Sequence, residues 1–216
     1  MTYRDPGPDD DSYPVCEEAR DILMKYEQTP RSQHLPRGPI AYYPRSDIIH
    51  VLTEGSRARK VFLCSCWKCR KQAGRQGGFD NRKSRWDERE LLGDFATIYA
   101  LLIYLRCPGL ISSFRQNGLS LSKGYLSHDQ LEFLDRCDDL TALQAKNIRN
   151  EILRSRYQFH VRKFSKRNEI IILDEKETLP IQEDQDAAGK GDFGEVYPFN
   201  VAFEYQDESL KSYQRA

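Results

Sequence analysis

The sequence contains no long apolar segment and no excess of charge of either sign. Its longest apolar run, residues 95–105, falls well short of the about 20 residues that a membrane-spanning helix needs. The first residues contain no apolar stretch, which argues against a secretory signal. The 33 basic and 33 acidic residues cancel, so no overall field attracts the chain to nucleic acid or to a membrane surface. We therefore expect no membrane partner, and the overall charge disfavours nucleic acid as a partner.

Histidine and dispersed cysteine are also scarce. None of the four histidines lies beside a serine or cysteine in a nucleophile motif, so nothing points to a hydrolytic triad. Three of the six cysteines lie within six residues, which differs from the dispersed cysteines of secreted disulfide-rich domains. These features predict a reduced, intracellular protein of the cytoplasm or the nucleus.

The crowded cysteines, Cys64, Cys66 and Cys69, form a candidate metal site. Thiolates are good zinc ligands, and the neighbouring basic residues favour the thiolate form. A tetrahedral structural zinc needs four ligands, whereas this segment supplies three. His50, Cys107 or a more distant histidine are candidates for the fourth. In the alternative interpretation the cysteines are small buried apolar side chains, and the sequence leaves both open.

A glycine pattern in residues 189–197 predicts a nucleotide-binding loop. Gly189, Gly191 and Gly194 would let the backbone N–H groups of a β-hairpin approach a triphosphate closely, because no Cβ holds the phosphates away. Phe193 could then cap the phosphates, and Val196 could pack on an adenine ring.

The surroundings of this pattern favour a β-hairpin over a dinucleotide-binding turn. A dinucleotide turn follows a buried strand and opens a helix. Here polar and acidic residues precede the glycines, and Pro198 follows soon after them. Residues 192–194 also spell D-F-G, the metal-binding triplet of protein kinases, but that triplet belongs downstream of an H-R-D catalytic loop. No such loop precedes it, so we assign Asp192 no metal role.

The pattern resembles the glycine-rich loop of protein kinases, and residues 85–216 look like the N-terminal region of fungal protein-kinase-domain proteins. The resemblance implies a serine/threonine-type kinase, a transferase that binds ATP with Mg. It makes Lys211 a candidate for the phosphate-contacting lysine of the third strand, the alternative being an exposed, solvated lysine. The nucleotide-binding residues that it implies are Gly189, Lys190, Gly191, Phe193, Gly194, Val196 and Lys211.

The kinase pattern is incomplete in this sequence. No H-R-D, later D-F-G or A-P-E segment follows the glycine loop. Phosphotransfer requires a catalytic aspartate and metal-holding residues in addition to the loop. We therefore assign no catalytic residue and expect the chain as given to be inactive as a kinase.

Composition divides the chain into six regions and predicts a mainly α fold, in which a helical region precedes a truncated, β-rich fragment of a kinase N-lobe. The predicted regions are a disordered terminus (1–13), N-terminal helices with a proline-rich connector (14–54), a basic cysteine-containing loop (55–85), a helical region (86–173), an acidic linker (174–186) and the truncated start of a kinase domain (187–216).

Apolar periodicity and capping residues predict the helices within these regions. The longest, about 85–105, would begin at a capping box on Ser84 and lie in the centre of the core. Another, about 141–159, would present Leu143, Ile148, Ile152 and Leu153 as its apolar stripe. The remaining predicted helices are one over 15–26, one capped by Ser46, one around Phe114 that closes at 117–118, and one opened by a capping box on Ser127.

Two functions follow from these patterns. The first is a kinase-like protein with an ATP-binding loop. The second is a non-catalytic helical interaction module that docks an unidentified protein partner, with zinc stabilising the cysteine cluster. Nucleic acid is a weaker candidate partner, for the basic stretches 57–85 and 146–167, and its binding would fall steeply with added salt.

Overall fold

The computed structural model describes residues 14–30, 40–72, 87–122, 124–137, 140–161, 163–164, 176–183, 189–191, 194–196 and 199–208. Helices dominate these ranges. The α-helices are α1 (Val15–Met24), α2 (Arg45–Thr53), α3 (Arg57–Phe62), α4 (Trp67–Gln72), α5 (Glu88–Leu92), α6 (Ala96–Tyr104), α7 (Ile111–Gln116) and α8 (Ala142–Phe159). Four 3₁₀ segments join them: Glu54–Ser56, Pro108–Leu110, Asp129–Arg136 and Phe203–Tyr205. The mainly helical architecture that the sequence predicts is confirmed.

Helix α6 lies at the centre of the core. Its residues from Ala96 to Ile103 are all buried, because apolar side chains cover every side of the helix. It contacts α1, α2 and α8 as well as the 3₁₀ turn Pro108–Leu110. The predicted central buried helix is therefore present.

The predicted long helix over 85–105 is wrong in its extent, because two helices occupy this range. Gly93 interrupts the chain with φ −81° and ψ −98°, outside the helical region. A Cβ on Gly93 would lie 2.7 Å from the carbonyl oxygen of Arg89, so only glycine fits there without a shift of the backbone. Asp87 caps α5 by accepting a hydrogen bond from the backbone N–H of Glu90. The predicted cap Ser84 lies outside the described residues.

The capping box predicted at Ser127 is present. Thr141 and Gln144 form a further capping box at the start of α8, which was not predicted. Ser127 and Gln130 exchange the same pair of hydrogen bonds, at 2.9 and 3.3 Å, although the segment that they open is a 3₁₀ helix. Ser46 is not a cap, because α2 begins one residue earlier and its N-cap position is Pro44.

Two predicted regions need correction. The region predicted as a basic loop contains helices α3 and α4, whose buried residues Ala58, Val61 and Phe62 join the core. The region predicted as an acidic linker contains strand β1, where Ile181 is buried. In both cases tertiary burial overrides the polar local composition. The predicted disorder of residues 1–13 lies outside the described residues.

The strands form two antiparallel pairs. Strand β1 (Ile181–Glu183) pairs with β4 (Phe199–Val201), and β2 (Gly189–Gly191) pairs with β3 (Gly194–Val196). The pair β2–β3 therefore lies between the two strands of the outer pair in the sequence. The glycine pattern therefore lies in the inner of two separate two-stranded sheets.

Candidate metal centre

Four cysteines from two distant parts of the chain converge at one place. Their Sγ atoms, from Cys16, Cys64, Cys66 and Cys69, all lie within 4.8 Å of one another. Cys16 is thus a fourth thiol beside the three that the sequence identifies. The predicted fourth ligands, His50 and Cys107, do not belong to this group.

Helix α1 brings Cys16 to the cluster. Cys16, Ala19 and Leu23 follow one another at intervals of three and four residues, and all three are buried on the same face of the helix. The side chain of Cys16 therefore points into the core near the first turn of α1. This spacing is the one sequence signal that would have identified the fourth ligand.

The other three cysteines lie where α3 ends and α4 begins. The backbone N–H of Cys64 donates to the carbonyl of Val61 at 3.1 Å, which closes the last turn of α3. Cys66 directly precedes α4, and Cys69 lies within it. Because α4 contacts the 3₁₀ turn Pro108–Leu110, Cys69 is fixed against the core and is only 1% exposed.

The four sulfur atoms lie close enough together to bind one ion. A zinc ion with Zn–S bonds of about 2.3 Å separates its sulfur ligands by about 3.8 Å. The Sγ atoms of Cys16 and Cys66 are 3.7 Å apart, close to that edge length. Four thiol donors also match the preference of zinc for soft ligands in closed structural sites. The cluster could therefore hold a metal ion such as zinc.

Hydrogen bonds among the four thiols shift their pKa values in opposite directions. Hydrogen bonds with Cys16 lower the pKa of Cys64 to about 7 and also lower the pKa of Cys66. The same network raises the pKa of Cys16, through its hydrogen bond with Cys64, and that of Cys69, through its hydrogen bond with Cys16. Crowded sulfur atoms share protons because two neighbouring thiolates repel each other. A bound cation would remove this conflict, since metal ligation replaces the protons.

The two rejected ligands have other environments. Complete burial raises the pKa of Cys107 to about 12, so this thiol stays neutral in the core. His50 is exposed and packs edge-to-face on Tyr26, with ring centroids 5.9 Å apart. Neither side chain has surroundings that favour metal ligation.

Glu17 forms ion pairs with two basic side chains beside the cysteine cluster. Glu17, the residue after Cys16, accepts from Lys68 Nζ at 3.4 Å and lies 3.3 Å from Arg106 Nε. Lys68 belongs to α4, so the pair joins the same two helices as the cysteines. Next to it, Trp67 is 64% exposed. These side chains border a cleft of about 400 Å³, which is lined by Pro14, Cys16, Glu17, Cys66, Trp67, Lys68 and Arg106.

The glycine pattern lies elsewhere, on strands β2 and β3. Gly189 pairs with Val196, Lys190 with Glu195, and Gly191 with Gly194. The predicted antiparallel strands around the motif are therefore present. Phe193 and Lys211 lie outside the described residues, and contact with a nucleotide stays a prediction.

The segment after β4 packs on the helical region. The backbone N–H of Ser46, in the first turn of α2, donates to Glu204 Oε2 at 2.9 Å, and that of Arg45 donates to the Tyr205 hydroxyl at 3.3 Å. Tyr205 also packs edge-to-face on Tyr42, and these two rings form a small buried cluster with Val161. Residues 203–206 thus supply the cap that Pro44 cannot give to α2.

Comparison of the chain with protein-family models, with curated proteins and with solved structures gives no significant match. Within the described ranges, none of the helices combines the length and the apolar character that crossing a bilayer requires. The function must therefore be argued from the residues and their geometry.

Proposed function

We propose that this chain is a non-catalytic helical module that is fastened by a structural zinc ion and carries a kinase-type glycine loop. The observation that supports it best is the convergence of four thiols from α1 and the α3–α4 segment within 4.8 Å. Zinc would be held by Cys16, Cys64, Cys66 and Cys69. The ion would supply a cross-link and no catalysis, because four protein ligands leave no open position for a substrate.

The module also supports the strand segment that follows it. Glu204 and Tyr205 bond the first turn of α2, and Tyr205 is buried against Tyr42 and Val161. These contacts join residues about 160 positions apart in the sequence. We therefore assign the helical region the role of a scaffold that positions the glycine-loop segment.

Metal content tests the first part of this proposal. The full chain, purified under reducing conditions without chelator, should contain close to one zinc per chain by elemental analysis. Cys16→Ser and Cys69→Ser should each lower this content, because a three-thiolate site binds zinc more weakly. Cys137→Ser is the matched control, since Cys137 is half-buried and lies outside the cluster. Wild-type protein without metal would overturn the zinc assignment.

A second function, nucleotide binding, is favoured by the antiparallel pairing of Gly189–Gly191 with Gly194–Val196. Such a hairpin is the form of a kinase glycine loop, whereas a dinucleotide turn would open a helix. The sequence lacks the residues that hold the metals and complete the adenine pocket of a kinase. We therefore expect Mg-ATP to bind with a Kd weaker than about 1 mM, equivalent to about 4 kcal/mol.

Titration calorimetry with Mg-ATP on the full chain measures this affinity. A micromolar Kd that Gly191→Val abolishes would show a complete nucleotide site and would contradict the non-catalytic assignment. Phosphotransfer to a generic acceptor should stay at the background rate, with Gly191→Val as the matched control.

A further inference from the structure

Two of the four clustered cysteines differ from the others in their position relative to a cleft. Cys16 and Cys66 both border the cleft of about 400 Å³ beside Trp67, whereas Cys64 and Cys69 do not. Cys66 is half-buried, Cys16 and Cys64 are each 7% exposed, and Cys69 is 1% exposed. A small molecule that enters the cleft therefore meets the sulfur atoms of Cys16 and Cys66 first.

We propose that Cys16 and Cys66 are a redox-active pair, which a hydroperoxide oxidises to a disulfide with release of the metal. The release of metal rests on the zinc site proposed above, whereas the disulfide itself requires only the two thiols. The site would then be a modification site as well as a metal site, and its reagent would be hydrogen peroxide or a small organic hydroperoxide.

The reaction balances as two nucleophilic displacements. The Cys66 thiolate attacks one peroxide oxygen, the O–O bond breaks, and Cys66 becomes a sulfenic acid while the departing hydroxide takes a proton. The Cys16 thiolate then attacks the Cys66 sulfur and displaces a second hydroxide, which is also protonated. The two sulfur atoms together lose two electrons, and hydrogen peroxide is reduced to two water molecules. Zinc held by the four thiols would thereby lose two of its ligands, which would weaken its binding.

The positions of the sulfur atoms make this pair suitable. Their separation of 3.7 Å must contract by about 1.7 Å to reach a disulfide bond length. The pair also joins residues 50 positions apart. The disulfide would therefore keep α1 tied to the α3–α4 segment after the metal has left. Oxidation would exchange one cross-link for another and leave Cys64 and Cys69 as thiols.

Peptide mapping identifies the disulfide directly. The zinc-loaded full chain is treated with stepwise equivalents of hydrogen peroxide, released zinc is measured with a chromogenic chelator, and remaining thiols are alkylated before a non-reducing tryptic digest. Trypsin places Cys16 in residues 5–20, Cys64 and Cys66 in residues 61–68, and Cys69 in residues 69–70. We expect the first two peptides to be linked, with fragmentation placing the bond on Cys66, and zinc to appear in proportion to this linked product.

Variants separate this pair from the alternatives. Cys66→Ser should remove the linked product, while Cys64→Ser and Cys137→Ser should retain it. Dithiothreitol should reverse the link in the wild type and in the two variants that retain it. A bond within residues 61–68, a bond to residues 69–70, or no disulfide after a tenfold excess of peroxide would overturn the proposal. If the wild-type chain binds no zinc but still forms the linked product, the redox pair is confirmed and the zinc site is contradicted. The failure of one proposal is thereby distinguished from the failure of the other.

Discussion

Replacing Cys16 with serine should lower the free energy of unfolding of the zinc-loaded chain by about 4 kcal/mol. Among the clustered thiols, Cys16 is the one on α1, so its loss would detach this helix from bound zinc. Zinc bound to Cys16 and Cys66 would close a loop of 50 residues. In the chain-entropy model, a cross-link around a loop of this length stabilises the folded state by about 4 kcal/mol. An ordinary domain has a free energy of unfolding of about 5–15 kcal/mol, so this loss would be a large part of the total.

Urea denaturation followed by circular dichroism measures this loss, with zinc and reductant present. In a thermal scan the same change should lower the Tm by about 8–16 °C for a chain of this size. A chelator provides a second perturbation that alters no side chain, and it should lower the stability of the wild type by a similar amount. The chelator should have little further effect on Cys16→Ser, because the variant already lacks the cross-link. Equal midpoints for wild type with and without bound zinc would refute the reasoning.

Three further predictions concern the rest of the molecule. Ile152→Ala should cost about 2–5 kcal/mol of unfolding free energy in urea, because this side chain is fully buried, whereas the Leu143→Ala control on the same helix should change it by less than about 0.5 kcal/mol. Glu204→Ala should lower the free energy of unfolding by about 1 kcal/mol because it removes the acceptor that caps α2, and Glu204→Gln should lower it less because it keeps an acceptor oxygen. Equal losses for the two variants would show that the charge of Glu204, rather than its hydrogen bond, stabilises the helix. Burial raises the pKa of Cys107 to about 12 from its usual 9.0, so the stability that this neutral thiol contributes is complete below pH 9 and is lost as the pH rises toward 12. Urea midpoints of wild type and Cys107→Ala across this pH range measure the loss, and parallel curves for the two proteins would contradict it.

Local patterns predicted the helices that local residues determine. The apolar stripe within residues 141–159 predicted a helix there, and α8 (Ala142–Phe159) occupies this range. The apolar periodicity of residues 15–26 likewise predicted α1. The stripe assigned to α8 was wrong at Leu143, which is 67% exposed, because this residue lies in the first turn, away from the neighbours that bury Ile152.

Features that depend on distant contacts could not be predicted in the same way. The break at Gly93 needs a backbone approach to Arg89 that apolar periodicity does not express. The fourth thiol is 48 residues before Cys64, so no spacing rule for zinc motifs includes it. The sequence therefore identified three of the four clustered thiols, and the helical face that carries Cys16 was the missing evidence.

Two long-range connections in the described residues meet on one helix without depending on each other. Zinc bound to the cysteine cluster would fasten α1, Glu204 and Tyr205 fasten residues 203–206 to α2, and both α1 and α2 pack on α6. Because α6 is buried from Ala96 to Ile103, it holds α1 and α2 through apolar contacts that neither zinc nor Glu204 provides. Loss of the metal should then loosen α1 locally while α2 keeps its cap. Bound zinc would thus fasten one helix to a core that other contacts already hold together. Oxidation of the cysteines to a disulfide could therefore proceed within the folded protein.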